Sequence, residues 1–507
     1  MTLVALVGLA VAGCGGPASS DSGDTLSMSL NTDPATFDPA LAKSGDDYTV
    51  ARLLFDTVVR KDEGNTLAGG IASEWKAVDA SHYSFTIRDG LKCSDGSAIT
   101  PSVVAKSLTR FAAKDTASSG RTLATGSATA TFTPDDGTGT VKATLSKPWS
   151  DFLTGLTLPQ AGIVCPAGLA DLKGLAAGKV GGAFSGPYTL TSSQPAVSYQ
   201  LTLRDDYSAW PKFAKPLDGK AAKQLNLLPV TDLATIATQL LSGSLDVGGV
   251  NDENVVRFAD NPKFTNTTSA NTTTYLLFNE RPGTVFADRP DLRAAVAQAI
   301  DPQAFSDIIS GKRGTTIDTV GSNKVACVNT DKKLLVAADP AAAKAKLAGL
   351  KFRVVGTTLL SGGNDYIGEA LRKAGANVTV SSLDNANWTT VTSAGGKDWD
   401  INVQGDNNQL GTLTSSLLRV MGPATEDGGR NKMGLVNEDG YSYVQKAMSE
   451  VDKSAQCAAL QSAQKSFLQR VDAIPLATLP TAIITRSGVG IRKFDDYIDP
   501  ATVRITG

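Results

Sequence analysis

The residue types that most often do enzymatic chemistry are scarce in this sequence. Its 507 residues contain one histidine, His82, which we expect on the surface of a strand, so imidazole metal sites and histidine-dependent triads are nearly excluded. We find no Gly-x-Ser-x-Gly, no His-Glu-x-x-His and no Ser-x-x-Lys in a convincing context. The nearest approach to a phosphate-binding glycine loop, 174–180, departs from that motif in its glycine spacing and at Val180. We therefore predict no catalytic residue, no metal and no cofactor. The 50 acidic residues leave a glycosidase with paired carboxylates open.

The charge balance excludes another large class of function. There are 48 Lys and Arg residues against 50 Asp and Glu residues, a formal net charge of −2. A nucleic-acid-binding protein should be strongly basic on one face, so we expect no nucleic-acid partner. With 41% hydrophobic and 19% charged residues, the composition is that of a globular chain long enough for two or three domains.

The N-terminus has the pattern of an exported protein. Residues 3–12 are apolar or glycine, too short for a bilayer span and typical of the apolar core of a secretory signal. The run ends in Val11-Ala12-Gly13-Cys14, and a polar stretch follows. Small residues directly before a cysteine resemble the lipobox of bacterial lipoproteins. That resemblance implies a signal peptide over 1–13, a lipidated Cys14 and a flexible tether over 14–25, which would hold the protein on the extracytoplasmic face of the cell membrane.

Two features leave the lipid anchor open. An ordinary signal peptide with an incidental cysteine is the alternative. No Lys or Arg precedes the apolar run, so we expect a misassigned start codon or a basic segment upstream. No later stretch approaches 18 uninterrupted apolar residues.

Along the rest of the chain, strand and helix patterns alternate as in an α/β protein. Residues 26–30 and 83–87 alternate apolar with polar, as half-buried strands do. Thr100-Pro101 predicts the start of a helix, and Thr231 predicts the cap of another. Strand, helix and strand patterns at 351–355, 366–374 and 378–383 predict a βαβ unit and a parallel sheet. A long helical region is expected over 443–471.

Eight short segments carry a resemblance to a known family. They occur in the family's order at 33–40 (DPATFDPA), 71–75 (IASEW), 83–90 (YSFTIRDG), 94–96 (SDG), 186–188 (GPY), 275–279 (YLLFN), 292–296 (LRAAV) and 299–301 (AID). On these segments the chain resembles the extracytoplasmic solute-binding proteins of ABC importers, specifically the large peptide-binding group, family 5. The resemblance covers almost the whole chain after the tether.

The resemblance implies a two-lobed clamshell of periplasmic-binding-protein type II. Lobe I would hold 26–270, with an extra subdomain at about 61–183, and the return segment 476–507. Lobe II would hold 271–475. Such a protein, expected to be a monomer, closes on its ligand by hinge motion and delivers it to the permease subunits of an ABC transporter.

The predicted domains also favour one disulfide pairing among the cysteines. Without Cys14, four remain in an oxidising compartment, and three pairings are possible. We favour Cys93–Cys165 and Cys327–Cys457, because each pair then stays inside one predicted domain.

The resemblance also implies candidate ligand-binding residues. Asp406 and Asn407 lie in 404–407 (QGDN), which is similar to the family segment whose aspartate pairs with the free α-ammonium of a bound peptide. A carboxylate in a water-poor cleft favours a cation and rejects an acylated amine. Here Gln404 replaces the family's tryptophan, and the proline that usually follows is missing. Asp406 could instead cap a turn. Trp388 would stack on ligand or pack in the core, and Phe37, in the opening loop, would face the cleft.

Three functions remain in competition. The first is a lipid-anchored binding protein that captures peptides for an importer. The second has the same fold and binds another solute, such as a sugar, an amine metabolite or a metal chelate. The third is an exported enzyme, against which the missing catalytic motifs argue; a sensor that retains the clamshell is a further alternative.

Overall fold

The computed structural model describes residues 22–434 and 437–507. The predicted signal peptide over 1–13, Cys14 and most of the predicted tether lie outside the described residues. Residues 22–24 form a short 3₁₀ turn, and the first strand begins at Thr25. Within the part that the structure describes, no helix has the length and apolar composition needed to cross a bilayer.

The strands are β1 (Thr25–Leu30), β2 (Val59–Lys61), β3 (Leu67–Gly69), β4 (Ala72–Ala77), β5 (His82–Ile87), β6 (Ala130–Asp135), β7 (Thr140–Leu145), β8 (Tyr188–Gln194), β9 (Ser198–Leu203), β10 (Gln224–Pro229), β11 (Val247–Gly249), β12 (Phe264–Phe278), β13 (Lys351–Thr357), β14 (Asn377–Leu383), β15 (Ile401–Asn407), β16 (Ala473–Arg486), β17 (Val489–Phe494) and β18 (Tyr497–Ile505).

The helices are α1 (Gly45–Leu54), α2 (Pro101–Ala112), α3 (Arg121–Thr125), α4 (Phe152–Gly155), α5 (Pro166–Ala170), α6 (Leu172–Ala176), α7 (Leu233–Ser242), α8 (Pro290–Gln298), α9 (Pro302–Ser310), α10 (Pro340–Leu347), α11 (Ser361–Lys373), α12 (Asn385–Ser393), α13 (Leu413–Met421), α14 (Glu438–Ser449) and α15 (Lys453–Arg470).

A mixed sheet of 10 strands runs through the molecule in the order β14-β13-β15-β12-β16-β11-β1-β10-β9-β8. We use lobe I for the half built on β1 and β8–β11, and lobe II for the half built on β13–β15. In lobe II, β13 is parallel to both β14 and β15, with α11 as the crossover, so the predicted βαβ unit is confirmed. The alternation predicted for β1 is also confirmed, because every second side chain is buried.

The two longest strands, β12 and β16, belong to both lobes. Residues 264–269 of β12 pair with 481–486 of β16 beside lobe I, and 272–278 lie between β16 and β15 in lobe II. Their register shifts between Ser269 and Thr272, opposite Pro480, and again at Tyr275, opposite Pro475. Proline cannot donate a ladder hydrogen bond, so the sheet is weakest at these two places. They lie near the predicted lobe boundaries at 270 and 475, which stay predictions.

Part of the region predicted as an extra subdomain folds on a second, four-stranded antiparallel sheet, β4-β5-β7-β6. The predicted helix start is confirmed next to it: Thr100 caps α2, and Val104, Leu108 and Phe111 are buried on one face. The structure forms both favoured disulfides, Cys93–Cys165 beside this sheet and Cys327–Cys457 in lobe II.

Two helix predictions need correction. The helical region expected over 443–471 is two helices, α14 and α15, because Glu450 is extended and Asp452 caps α15 by accepting a hydrogen bond from Ala455 N. The cap of α7 is Asp232 rather than Thr231, since the Asp232 carboxylate accepts from Thr235 N. In both places an aspartate directly before the helix accepts a hydrogen bond from a free backbone amide of the first turn, and this bond fixes where the helix begins.

The lobes also touch away from β12 and β16. Leu410, which follows β15 in lobe II, packs with Leu123 and Leu158 of lobe I. The Lys61 ammonium of lobe I donates a 2.6 Å hydrogen bond to the Leu410 carbonyl. Lys61 is 7% exposed, and burial lowers its pKa to about 8. The structure therefore joins the two lobes by a buried hydrogen bond next to an apolar contact.

The Lys61 contact predicts a pH dependence of stability. Because the folded-state pKa of Lys61 lies below its ordinary value of 10.5, the unfolded chain binds more protons between pH 8 and 10.5. We therefore expect the free energy of unfolding of the wild type, relative to that of Lys61→Met, to be lowest near pH 8. This difference should rise in favour of the wild type by roughly 3 kcal/mol between pH 8 and pH 10.5. Urea unfolding of both proteins across this range measures the difference. Lys446→Met, at an exposed helix position, is the control, and parallel wild-type and Lys61→Met profiles would contradict the assignment.

The disulfides give a second prediction. Cys93 and Cys165 are 72 residues apart, and a cross-link of this span restricts the unfolded chain by roughly 4 kcal/mol on the chain-entropy account. We expect the Cys93→Ser/Cys165→Ser double variant to lose a large part of that stability in denaturant unfolding. Equal unfolding midpoints of oxidised wild type and double variant would show that the bond does not form in solution.

Candidate ligand-binding cleft

Strand β15 brings Asp406 to the boundary between the lobes. Ile401 and Val403 point from β15 into the hydrophobic core of lobe II. Side chains alternate along a strand, so the polar residues Asn402, Gln404 and Asp406 share the opposite face. All three are buried. A buried row of polar side chains is costly unless its members have partners, which marks this face of β15 as the candidate site.

Asp406 already has two partners. Its Oδ1 atom lies 2.6 Å from Nε of Arg419 on α13, and its Oδ2 atom accepts a 3.2 Å hydrogen bond from the Tyr275 hydroxyl of β12. Burial disfavours the Arg419 cation, but the adjacent Asp406 outweighs this effect and the pKa of Arg419 is raised. Burial and Asp406 both raise the pKa of Tyr275. Asp406 is therefore paired with Arg419 and hydrogen-bonded to Tyr275 rather than a free turn residue.

Two further cations lie in the same cluster. Arg430 donates from Nη1 to the Ser415 carbonyl at 3.0 Å. Lys432 places its ammonium 3.4 Å from the ring centre of Trp388. Burial and Arg419 lower the pKa of Arg430 to about 10, and burial and the neighbouring arginines hold the pKa of Lys432 well below its usual range. Three basic side chains, those of Arg419, Arg430 and Lys432, therefore lie in the cluster around Asp406.

Trp388 and the polar row support this cluster. Trp388 is 6% exposed, packs with Val355 and Trp399, and donates from Nε1 to the Asn402 amide oxygen at 2.8 Å. The Asn402 amide in turn donates to Gln404. The Trp388 ring thus packs in the core, as the alternative interpretation expected, and one face of the ring contacts the Lys432 ammonium. A ligand contact by Trp388 stays a prediction.

Lobe I supplies Tyr48 to the same region. It lies on α1, whose first turn is fixed by a capping box between Ser44 and Asp47. Burial raises the pKa of the Tyr48 hydroxyl, and hydrogen bonding to Gln409 of lobe II and to Ser119 acts against that rise. Tyr48 therefore meets lobe II at Gln409, close enough to Arg430 for that cation to act on the pKa of its hydroxyl.

The other two predicted residues lie elsewhere. Asn407 is exposed on the opposite face of β15, and its side-chain oxygen accepts a 3.1 Å hydrogen bond from Asn271, where the register of β12 shifts. Phe37 is 6% exposed in the core of lobe I, with its ring centre 5.7 Å from that of Tyr199. The structure brings Asp406 and Trp388 to one cluster and does not bring Phe37 or Asn407 there. Their roles as ligand contacts stay predictions.

Sequence reasoning missed five members of the cluster: Tyr48, Tyr275, Arg419, Arg430 and Lys432. Tyr275 and Asp406 are adjacent through the strand ladder, in which Thr273 is the direct partner of Asp406. The three cations follow Asp406 in the chain without any regular spacing. Only the packing of α13 and the following loop against β15 places them together.

A separate cavity of about 300 Å³ lies within lobe II. Its walls are mostly apolar and include Ile300, Leu334 and Ile474. None of the predicted ligand-binding residues lines it.

Comparison with known proteins identifies the family. The family model for bacterial extracellular solute-binding proteins, family 5 (middle region), matches residues 37–417. A substrate-binding protein from Microbacterium hydrocarbonoxydans, solved with 4-hydroxybenzoate hydrazide, is 37% identical with a TM-score of 0.85, covering 95% of this chain and 100% of that one.

More distant proteins agree. The peptide-bound DppA of Helicobacter pylori is 18% identical with a TM-score of 0.79, over 95% of this chain and 98% of that one, and supports the two-lobed type II fold. The probable D,D-dipeptide-binding protein DdpA of Escherichia coli K12 is 28% identical over 57% of this chain and 55% of its own length, so the match spans little more than half of that relative. With the family model covering most of the chain, this protein belongs to the bacterial extracellular solute-binding proteins of family 5.

Proposed function

We propose that this protein captures a short peptide between its lobes and hands it to the permease subunits of an ABC importer. It works as a monomer tethered through lipid on Cys14, outside the cytoplasmic membrane. Family membership and the peptide-binding relatives support this assignment. The observation that carries it is the buried carboxylate of Asp406 where the two lobes meet.

The chemistry of capture follows from the contacts of Asp406. A peptide α-ammonium entering the cleft would donate to the carboxylate and share it with Arg419 and Tyr275. Closure around β12 and β16 would then exclude water and strengthen these charged hydrogen bonds. An N-acetylated peptide lacks the α-ammonium group, so its binding would bury the Asp406 carboxylate without adding a charged donor.

A non-peptide solute is the second candidate. The 37%-identical Microbacterium protein was solved with an aromatic hydrazide, which is not a peptide. In this chain Arg419 already pairs with Asp406, so a ligand does not need an ammonium group to satisfy that carboxylate. The aromatic ligand of that relative favours a small aromatic solute as this second candidate.

The peptide assignment predicts a selective thermal shift. We expect free-amine peptides at about 100 times their dissociation constant to stabilise the protein by roughly 2.7 kcal/mol, and N-acetylated peptides to have no such effect. Asp406→Asn should abolish the shift, because an amide gives the ammonium no charged acceptor. Differential scanning fluorimetry measures the shift for each protein with and without peptide.

Asp398→Asn, at an exposed position of lobe II, is the matched control and should keep the full shift. Equal shifts with free and acetylated peptides would remove Asp406 as an ammonium anchor. A shift with 4-hydroxybenzoate hydrazide, together with none for any peptide, would establish the second candidate instead.

A further inference from the structure

Lobe I contacts lobe II at the segment that follows β15. Residues 408–414 join the end of β15 to the first residues of α13, and we call them the β15–α13 turn. Lys61 of β2 donates its 2.6 Å hydrogen bond to the Leu410 carbonyl of this turn, and Tyr48 of α1 is hydrogen-bonded to Gln409. Two elements of lobe I therefore hold the segment that directly follows the candidate site.

The close approach at Leu410 depends on Gly411. Gly411 has a φ of +63°, in the left-handed region, and a Cβ atom there would come within 2.5 Å of the Lys61 Nζ atom. Any residue with a side chain would be strained at this position and would also displace the ammonium. The β15–α13 turn is therefore shaped to receive a side chain from lobe I.

The predicted extra subdomain makes a second contact with lobe II. Ser150 N donates to the Met448 carbonyl near the end of α14 at 2.9 Å, and Ser150 Oγ accepts a 2.8 Å hydrogen bond from the Gln456 amide on α15. Phe152 of the subdomain and Met448 belong to one hydrophobic cluster. The loop before α4 therefore packs directly on the helices of lobe II.

Asp151, the next residue of this loop, is a buried acid facing the β15–α13 turn. It is 5% exposed. Burial raises the pKa of its carboxyl group, and the Lys453 cation and the hydroxyls of Thr414 and Thr412 act against that rise. In the part of the chain that the structure describes, three buried atoms have no well-aligned hydrogen-bond partner here: Asp151 Oδ2, Thr412 Oγ1 and Thr414 Oγ1. Unpaired buried polar atoms are costly, so a closer approach that paired them would be favourable.

Helix α13 connects this contact to the candidate cleft. Thr412, the residue before the helix, makes no side-chain capping hydrogen bond, so the start of the helix depends on its other neighbours. A carboxyl group is a favourable neighbour at a helix N-terminus. Further along the same helix, Arg419 places its Nε atom 2.6 Å from Asp406 Oδ1. A movement of the first turn of α13 therefore reaches the ion pair in the cleft.

We propose that Asp151 is a positioning residue that couples closure of the lobes to the geometry of the cleft. When the lobes approach, the Asp151 carboxyl group accepts hydrogen bonds from Thr412 and Thr414. These bonds fix the start of α13 and hold Arg419 against Asp406. This role rests on the proposed capture function and gives the predicted extra subdomain a part in it, although none of the residues clustered around Asp406 belongs to that subdomain.

Dissociation kinetics test this role. The probe is alanyl-phenylalanine or 4-hydroxybenzoate hydrazide, whichever raises the melting temperature of the wild type. We expect Asp151→Leu, which keeps the size of the side chain and removes its acceptors, to release the probe about tenfold faster with little change in the association rate. Asp151→Asn keeps one acceptor and should release it at an intermediate rate. Stopped-flow measurement gives both rates.

Asp89→Asn, at an exposed position of the same subdomain, is the control and should release the probe as wild type does. Equal dissociation rates for wild type and Asp151→Leu would overturn the role.

A double-mutant cycle separates positioning from general damage. The Thr412→Val/Thr414→Val variant removes the two hydroxyls from lobe II and leaves Asp151 in place, so it should speed release as much as Asp151→Leu does. Combining the changes should add nothing further, because they remove the same hydrogen bonds. Additive effects would count against the role. The threonine variant also tests it alone where Asp151→Leu does not fold.

Failure of the proposed function has a different signature. If neither probe binds to the wild type, capture of these solutes falls, and hydrogen exchange of the ligand-free protein decides on Asp151. We expect Asp151→Leu to speed exchange of the α13 amides about tenfold and to leave that of β14, at the edge of the 10-stranded sheet, unchanged. Faster exchange in both elements, or in neither, overturns the positioning role.

Discussion

The pairing of β12 with β16 is the constraint on which the rest of the structure depends. These two strands are the only ladder shared by both halves of the 10-stranded sheet in the described chain, so every relative movement of the lobes must be accommodated there. Their register shifts opposite Pro480 and Pro475, where the ladder lacks a donor. Strand β12 also positions Tyr275 to donate a hydrogen bond to Asp406. The strand in which the register shifts occur therefore contributes directly to the candidate site.

The cluster around Asp406 is one of several buried charged groups in the protein, and it lies where the two lobes meet. Asp406 and Arg419 neutralise one another, and Tyr275 completes the carboxylate's hydrogen bonds. Lys432 is buried in the loop that follows α13, and Arg430 in the same loop is partly buried.

Local patterns predicted most of the fold and only part of the site. The alternation of β1, the cap and apolar face of α2, and the β13–α11–β14 unit follow from neighbouring residues, and the structure has each of them. The break between α14 and α15 depends on an aspartate cap within a run that reads as continuously helical. Asp406 lies in a recognisable segment. Arg419, Arg430 and Lys432 do not, because their meeting is produced by tertiary packing alone. Phe37 lies in a recognisable segment, yet its ring packs in the core of lobe I.

A crystal structure of the complex with the solute that most raises the melting temperature tests the central claim most directly. The account predicts solute density between β15 and α1, with polar contacts to Asp406 or Arg430 and with Tyr48 closing from lobe I. Solute bound instead in the 300 Å³ cavity beside Ile300 and Ile474, with the cluster around Asp406 untouched, would contradict it.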